Sequence, residues 1–205
     1  CAVPPVLTAA ELARLAGSPG EGTVHAEPPE PLIVLEPPRV AFGGPAVHLP
    51  SGSFLQPTGE GEAALRGVVL DAVGEAELVI DLYAGCGAFA LPLAEAGKTV
   101  TAIEGLAAQT AAIRNATPRV GGAALKVAAD TRDLARQPLR TEELAGYDAV
   151  VQDPPRAGAA AQVALLAAGD VPTIVYVSCN PATFARDARV LIDGGYVLSA
   201  IQPVD

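Results

Sequence analysis

Leu78-Val79-Ile80-Asp81-Leu82-Tyr83-Ala84-Gly85-Cys86-Gly87-Ala88-Phe89-Ala90 decides the fold. Its first six residues are a near-continuous apolar run, the pattern of a strand in a parallel sheet covered on both faces. Gly85 and Gly87 follow, and then a helical pattern to about residue 96. Glycine permits a tight turn and lets the backbone approach a ligand closely. A second strand over residues 98–103 ends in Glu104. An acidic residue about twenty positions beyond the glycines, at a strand tip, suits hydrogen bonds to ribose hydroxyls. Taken alone, such a turn fits nicotinamide, flavin and S-adenosylmethionine folds, and also a purely structural strand-to-helix turn. Cys86 inside it reads as a small filler.

Outward toward the carboxyl end the alternation continues. Residues 107–116 predict a helix ended by Pro118, and residues 124–128 a strand with Asp130 just past its end. A polar helical segment is expected over 131–144, broken near Pro138. A strand over 147–152 runs directly into Asp153-Pro154-Pro155-Arg156-Ala157-Gly158, followed by an alanine-rich helix over 159–168. Ile174-Val175-Tyr176-Val177-Ser178-Cys179-Asn180-Pro181 reads as a buried strand delivering a cysteine to its carboxyl end, with a helix from about Thr183 to 192. A lone cysteine there is as readily a core filler, since free Cys is among the most buried residue types. The last expected strand covers 196–201. Strands alternating with helices predict right-handed crossovers and a doubly wound, mostly parallel α/β sheet. Four polar clusters then share one crevice at the strand carboxyl ends: residues 83–87, Glu104, residues 153–156 and residues 178–180.

Residues 1–59 read differently. A short helix is expected over 8–15, with Thr8 and Glu11 as a capping box. A Pro/Gly/Glu-rich stretch fills 17–31, and short strands are expected at 32–35, 39–42 and 46–49. This is a small N-terminal β-rich appendage without a core of its own. His25 and His48 lack partners at metal-ligand spacing. Residues 53–58 lead, through Gln56, into a helix over 59–73. The division expected is therefore 1–59 and 60–205.

A chain of 205 residues suits one large domain with at most a small appendage. Aromatics are only 4 %, so alanine, valine and leucine must build the core. No apolar run has membrane-span length, and three scattered cysteines make no disulfide framework, which together predict a cytoplasmic protein. The absence of methionine, even at position 1, predicts an incomplete natural chain. The net charge of −10 excludes autonomous tight binding of nucleic acid, which relies on Lys and Arg. A nucleic-acid substrate would need a local basic groove or a separate basic module.

Asp153-Pro154-Pro155-Arg156-Ala157-Gly158, followed by Tyr176-Val177-Ser178-Cys179-Asn180-Pro181-Ala182-Thr183-Phe184-Ala185-Arg186-Asp187, resembles the RNA 5-methyluridine methyltransferase family. Residues 81–87 and Phe54-Leu55-Gln56-Pro57 match the same family's cofactor motifs, and the resemblance covers residues 50–205. It implies a Rossmann-like class I methyltransferase sheet, S-adenosylmethionine as cofactor, and RNA as partner, ribosomal RNA ahead of transfer RNA. It further implies a monomer that does not associate with membranes. The implied activity is methylation of uracil C5 in 23S ribosomal RNA. A transfer-RNA enzyme, a cofactor-binding domain without turnover, and a nicotinamide oxidoreductase are the alternatives.

By this resemblance Cys179 is the nucleophile that adds to uracil C6, and the N-terminus of the following helix would favour its thiolate. Gln56 contacts the methionine end of the cofactor, Tyr83, Gly85 and Gly87 form its turn, Glu104 holds the ribose, and Asp130 lies near the adenine. Asp153 lies beside the sulfonium and the target base. Arg156 serves a phosphate or a structural pairing, Asn180 bonds uracil or caps the helix, and Thr183 joins that cap. Three departures matter. Ala88 stands where the family commonly has Asn. The family's general base, a glutamate in a His-Val-Glu-like segment, is expected beyond residue 205, and its RNA-binding β-barrel before residue 1. Cys1 resembles the last cysteine of an iron–sulfur motif, but one cysteine cannot hold a 4Fe-4S cluster; it reads as an orphan metal ligand or an unremarkable end.

Overall fold

In the computed structural model the described residues belong to one compact unit. The residues described are 38–116 and 125–204. The expectations for the helix over 8–15, the stretch 17–31, the strand at 32–35, His25 and Cys1 lie outside them.

Strands β1 (Arg39–Ala41) and β2 (Ala46–His48) pair antiparallel, with Val40 opposite Val47. Phe42, Val47 and Leu49 are buried and belong to the same apolar cluster as the main sheet. Helix α1 (Gly59–Val73) starts where expected: the Thr58 hydroxyl accepts the Gly61 amide at 3.1 Å. Loss of such a cap costs about 1 kcal/mol.

The remaining elements alternate: β3 (Leu78–Leu82), α2 (Ala90–Glu95), β4 (Thr99–Glu104), α3 (Ala107–Ala116), β5 (Val127–Thr131), α4 (Thr141–Leu144), β6 (Ala149–Gln152), α5 (Ala160–Ala167), β7 (Thr173–Tyr176) and α6 (Pro181–Asp193). All four strand pairings are parallel, in the order β5-β4-β3-β6-β7. Successive side chains along a strand point to opposite faces, so the apolar runs build two cores. Val79, Val100, Ala102 and Val151 meet Val69 and Val73 of α1, Leu91 of α2 and Ile113 of α3 on the first face. Ile80, Leu82, Ile103 and Val150 meet Leu144, Val163, Leu166 and Leu191 on the second. At the amino-terminal edge the Asp148 carboxylate accepts the Glu77 and Leu78 amides at 2.9 and 2.8 Å, fixing β6 against β3. No helix among the described residues is long and apolar enough to cross a membrane.

Four expectations need correction. The strand expected at 124–128 lies at Val127–Thr131, because its ladder runs from Val100↔Val127 to Glu104↔Thr131; Asp130 is inside it, not past it. The helical segment expected over 131–144 is helical only in α4. Asp133 accepts the Ala135 and Arg136 amides, and Arg132 gathers the Gln137 and Pro138 carbonyls and Glu143. Local side-chain bonds thus replace the helical ones. Strand β7 is half-buried rather than buried, since it closes the sheet with only β6 beside it. Residues 196–201 form no strand: none of the described strands pairs with them, and Val197 is 87 % exposed.

Candidate active site

Strands β3, β4 and β5 step one way across the sheet, and β6 and β7 the other. The order therefore reverses between β3 and β6, and open α/β sheets hold ligands beyond the carboxyl ends of the strands at such a point. The glycine turn leaves β3 there, and Asp153 leaves β6 beside it.

Tyr83 turns the chain with φ at 61°, the only positive value of a non-glycine residue among those described. Gly85 and Gly87 follow at 55° and 92°. A Cβ on Gly87 would come within 3.0 to 3.2 Å of Leu91 and Ile113, so this glycine lets the turn sink onto α2 and α3. At Gly85 nothing lies within 4 Å of that position; the turn there opens to free space. The Gly85 amide donates to Oε2 of Glu104 at 3.0 Å, and the Leu106 amide to Oε1 at 2.9 Å. Two backbone donors thus fix the Glu104 carboxylate at the tip of β4. The Cys86 thiol donates to the Ser53 hydroxyl at 3.4 Å, which brings the loop carrying half-buried Gln56 to the turn. Cys86 is buried, and burial pushes its thiol up. The Tyr83 ring packs on the second-face core, where burial followed by the charges of Asp187 and Asp133 pushes its phenol up to about 12.

The second half of the site joins two loops. The Val177 amide donates to the Gln152 carbonyl at 2.9 Å, carrying the β6–β7 pairing one step past β7. Cys179 follows as a free, exposed thiol. Asn180 is the N-cap of α6: its Oδ1 accepts the Ala182 amide at 3.1 Å, and its Nδ2 donates to the Arg156 carbonyl at 3.1 Å. The helix expected to start near Thr183 therefore starts at Pro181, where proline's fixed φ and missing N–H are tolerated. The Thr183 hydroxyl lies 3.2 Å from the same Arg156 carbonyl. The Arg186 guanidinium donates to the Ala157 carbonyl at 3.0 Å. The fully buried Asp187 carboxylate accepts the Ala159 amide at 2.8 Å and the Tyr176 hydroxyl at 2.6 Å. A Cβ on Gly158 would lie 2.5 Å from the Arg186 guanidinium, so the loop 153–159 can lie on α6 only with glycine there. The Arg156 side chain is exposed and makes no hydrogen bond or ion pair among the described residues. Asp130 stands exposed on the outermost strand against Arg114, at 3.4 Å.

Two further polar residues stand in this region without a role assigned from the sequence, Asp81 at the head of the 81–87 motif and Gln152. Asp81 and Gln152 are fully buried, and none of their side-chain oxygens and nitrogens has a hydrogen-bond partner. The sequence signal was present: each is a polar residue inside an otherwise apolar strand. Burial pushes the carboxyl of Asp153 up to about 6. Among the described residues no group of His, Cys, Asp and Glu could hold a metal ion.

Comparison with known proteins gives this geometry a family. The chain is 46 % identical over 175 residues to an uncharacterized RNA methyltransferase of Mesorhizobium japonicum, covering 84 % of this chain and 42 % of that protein. It is 40 % identical over 134 residues to the 23S rRNA (uracil(1939)-C(5))-methyltransferase of Yersinia enterocolitica, covering 63 % of this chain and 29 % of that one. The chain thus spans less than half the length of these curated relatives. Among solved structures it resembles the Pyrococcus abyssi tRNA (uracil-54, C5)-methyltransferase in complex with S-adenosyl-L-homocysteine, with 28 % identity and a TM-score of 0.64 over 75 % of this chain and 37 % of that one. The Geobacter metallireducens precorrin-6y C5,15-methyltransferase, at 15 % identity and a TM-score of 0.54 over 74 % of this chain and 78 % of that one, shares the fold alone. The family model for tRNA (Uracil-5-)-methyltransferase matches residues 46–197, and the chain belongs to that family.

Proposed function

We propose that this domain carries out methylation of uracil C5 in RNA, with S-adenosylmethionine as cofactor and Cys179 as nucleophile. The observation that carries the reading is the pairing of two loops at the sheet's switch point. The loop bearing Cys179 is bound through Asn180 to the Asp153–Arg156 loop, beside a glycine turn that opens to free space. The residues present suit the cofactor. Gly85 offers close approach, and Glu104 offers a carboxylate already oriented by two amides. Gln56 stands on the loop drawn to the turn. The cofactor supplies a methyl group on a positively charged sulfur.

The domain's own residues supply the nucleophile and its setting. Uracil C5 is a poor nucleophile. Attack of the Cys179 thiolate on C6 moves electron density onto C5, which then takes the methyl group; transfer of the C5 proton to a general base, which the family resemblance puts beyond residue 205, lets the Cys179–C6 bond break and restores the ring. Covalent catalysis of this kind divides one difficult step into easier ones. Asp153 would meet the base and the methyl donor together. The exposed Arg156 guanidinium offers a contact to an RNA phosphate, and Asn180 acts as cap and loop tie. Ribosomal RNA is taken ahead of transfer RNA on the 40 % identity to the Yersinia rRNA enzyme.

The test is transfer of radiolabelled methyl from S-adenosylmethionine to unmodified 23S rRNA and to unmodified tRNA, with nuclease digestion to identify the product nucleoside. Label in 5-methyluridine from rRNA supports the proposal. Label from tRNA alone overturns the substrate choice, and label in any other nucleoside overturns the chemistry.

A further inference from the structure

Asp81 has no part in the chemistry just described. It is the fourth residue of β3, in register with Ala102 and Val151, on the first face of the sheet. Neither of its carboxylate oxygens has a hydrogen-bond partner in the protein, although the residue is fully buried. Burial raises its carboxyl well above the ordinary range, and the charge of Asp153 raises it further. The Ala90 amide lies near enough to offset part of this without reaching hydrogen-bond geometry, and the charge of Glu104 adds to the rise. The glycine turn contributes only the Cys86 thiol, itself pushed up by burial. The helices over this face bring no free base: Arg66 is paired with Glu62, and Arg114 with Asp130, while Glu95 is exposed.

An unpaired carboxylate in such a place is strongly disfavoured as an anion, so the ligand-free site retains a proton. A cation arriving at the turn reverses that balance, because an opposite charge favours the ionised acid. The acids do not form a metal-holding group among the described residues, whereas nothing lies within 4 Å of a Cβ position at Gly85, so an organic ligand can approach the backbone there. S-Adenosylmethionine is one: its sulfonium and ammonium outweigh its carboxylate. S-Adenosylhomocysteine has lost the sulfonium charge and is neutral overall.

We propose that Asp81 and Asp153 hold a proton that leaves when S-adenosylmethionine enters and returns once S-adenosylhomocysteine has replaced it, so that the site separates fresh from spent cofactor by charge. This rests on the reading that the turn holds S-adenosylmethionine. The charges balance. On loading, the pair releases one proton to solvent against the one positive charge that enters. When the S–CH3 bond breaks, its electron pair stays on sulfur and the positive charge is gone, so the pair takes a proton back from solvent.

The experiment is calorimetric titration of the protein with each form of the cofactor at pH 6, in buffers of different ionisation enthalpy. The slope of heat against buffer enthalpy counts the protons exchanged. Release of up to about one proton is expected with S-adenosylmethionine, and clearly less with S-adenosylhomocysteine. Asp81→Asn should flatten the difference and reduce the preference for S-adenosylmethionine about tenfold for each pKa unit of coupling removed. Should that variant fail to fold, the wild-type comparison and Asp153→Asn carry the same test. Equal slopes for two ligands that both bind would overturn the proton coupling and leave the cofactor reading intact. Failure of both ligands to bind would overturn the two together.

Discussion

The side-chain amide of Asn180 donates to the carbonyl of Arg156 at 3.1 Å, while its oxygen caps α6. One residue therefore ties the cysteine loop to the Asp153–Arg156 loop and starts the helix behind it. Asn180→Ala should destabilise the protein by about 1–2 kcal/mol, from the lost cap and one lost hydrogen bond. Asn180→Asp keeps the cap but loses the donor to Arg156, so it should be more stable than the alanine variant and yet impaired in methyl transfer. Denaturant unfolding and kcat measured together separate the two effects.

Asp187 anchors the same junction from inside, taking the Ala159 amide, the Tyr176 hydroxyl and the Arg186 guanidinium. Asp187→Ala would strand the Ala159 amide and the Tyr176 hydroxyl, while half-exposed Arg186 keeps the Ala157 carbonyl; leaving a buried donor unpaired costs about 1–3 kcal/mol. A loss in stability below about 1 kcal/mol, the range of an exposed ion pair, would show that the junction is not held this way.

The two glycines of the turn should respond oppositely. At Gly87 an added methyl meets Leu91 and Ile113 as well as a positive φ, so Gly87→Ala should lower the melting temperature more than Gly85→Ala. At Gly85 there is only the left-handed backbone, a cost of about 1–2 kcal/mol. Gly85→Ala should instead lose affinity for S-adenosylhomocysteine, since its methyl would occupy the space the turn leaves open. Calorimetry on both variants checks this pairing.

Asp153 gives a pH dependence of definite sign. Its carboxyl is raised from 3.8 to about 6 by burial. Between those values the unfolded chain has already lost the proton that the folded chain still holds, so stability falls as pH rises through this window and levels off above it. The cost is at most about 3 kcal/mol, at about 1.4 kcal/mol for each pKa unit. Asp153→Asn should therefore unfold at higher denaturant than wild type above pH 6, should match it below pH 4, and should lose methyl transfer. An unchanged difference across this range would refute the burial of the charge.

Much of this was legible in the chain. The apolar runs ending at Leu82, Glu104 and Gln152 fix three central strands, because buried parallel strands leave a continuous apolar signature. The edges were less legible. Alanine carries little signal, so the ladder at Val127–Thr131 was displaced by three residues from the stretch expected. Over 131–144 the polar periodicity resembled a helix until Asp133 and Arg132 bonded the backbone locally. In the candidate site, the Gly85 amide bonds Glu104 at the tip of β4, and Asn180 caps the helix next to Cys179. Asp130 is paired with Arg114 on the outer strand and the Tyr83 ring lies against the second core, contacts that the sequence does not announce. Asp81 heads the motif at 81–87, but nothing in the sequence says that its carboxylate is buried without a partner; only the packing reveals that.

The account stands on the sulfur of Cys179. Incubating the protein with S-adenosylmethionine and 5-fluorouridine RNA, digesting with trypsin and nuclease, and mapping the adduct by mass spectrometry tests it directly. The two described cysteines fall in different tryptic peptides, one after Arg66 and the other after Arg156. The account predicts a nucleotide mass on the peptide holding Cys179, lost in Cys179→Ala; a mass on the Cys86 peptide, or an adduct that survives in Cys179→Ala, would contradict it.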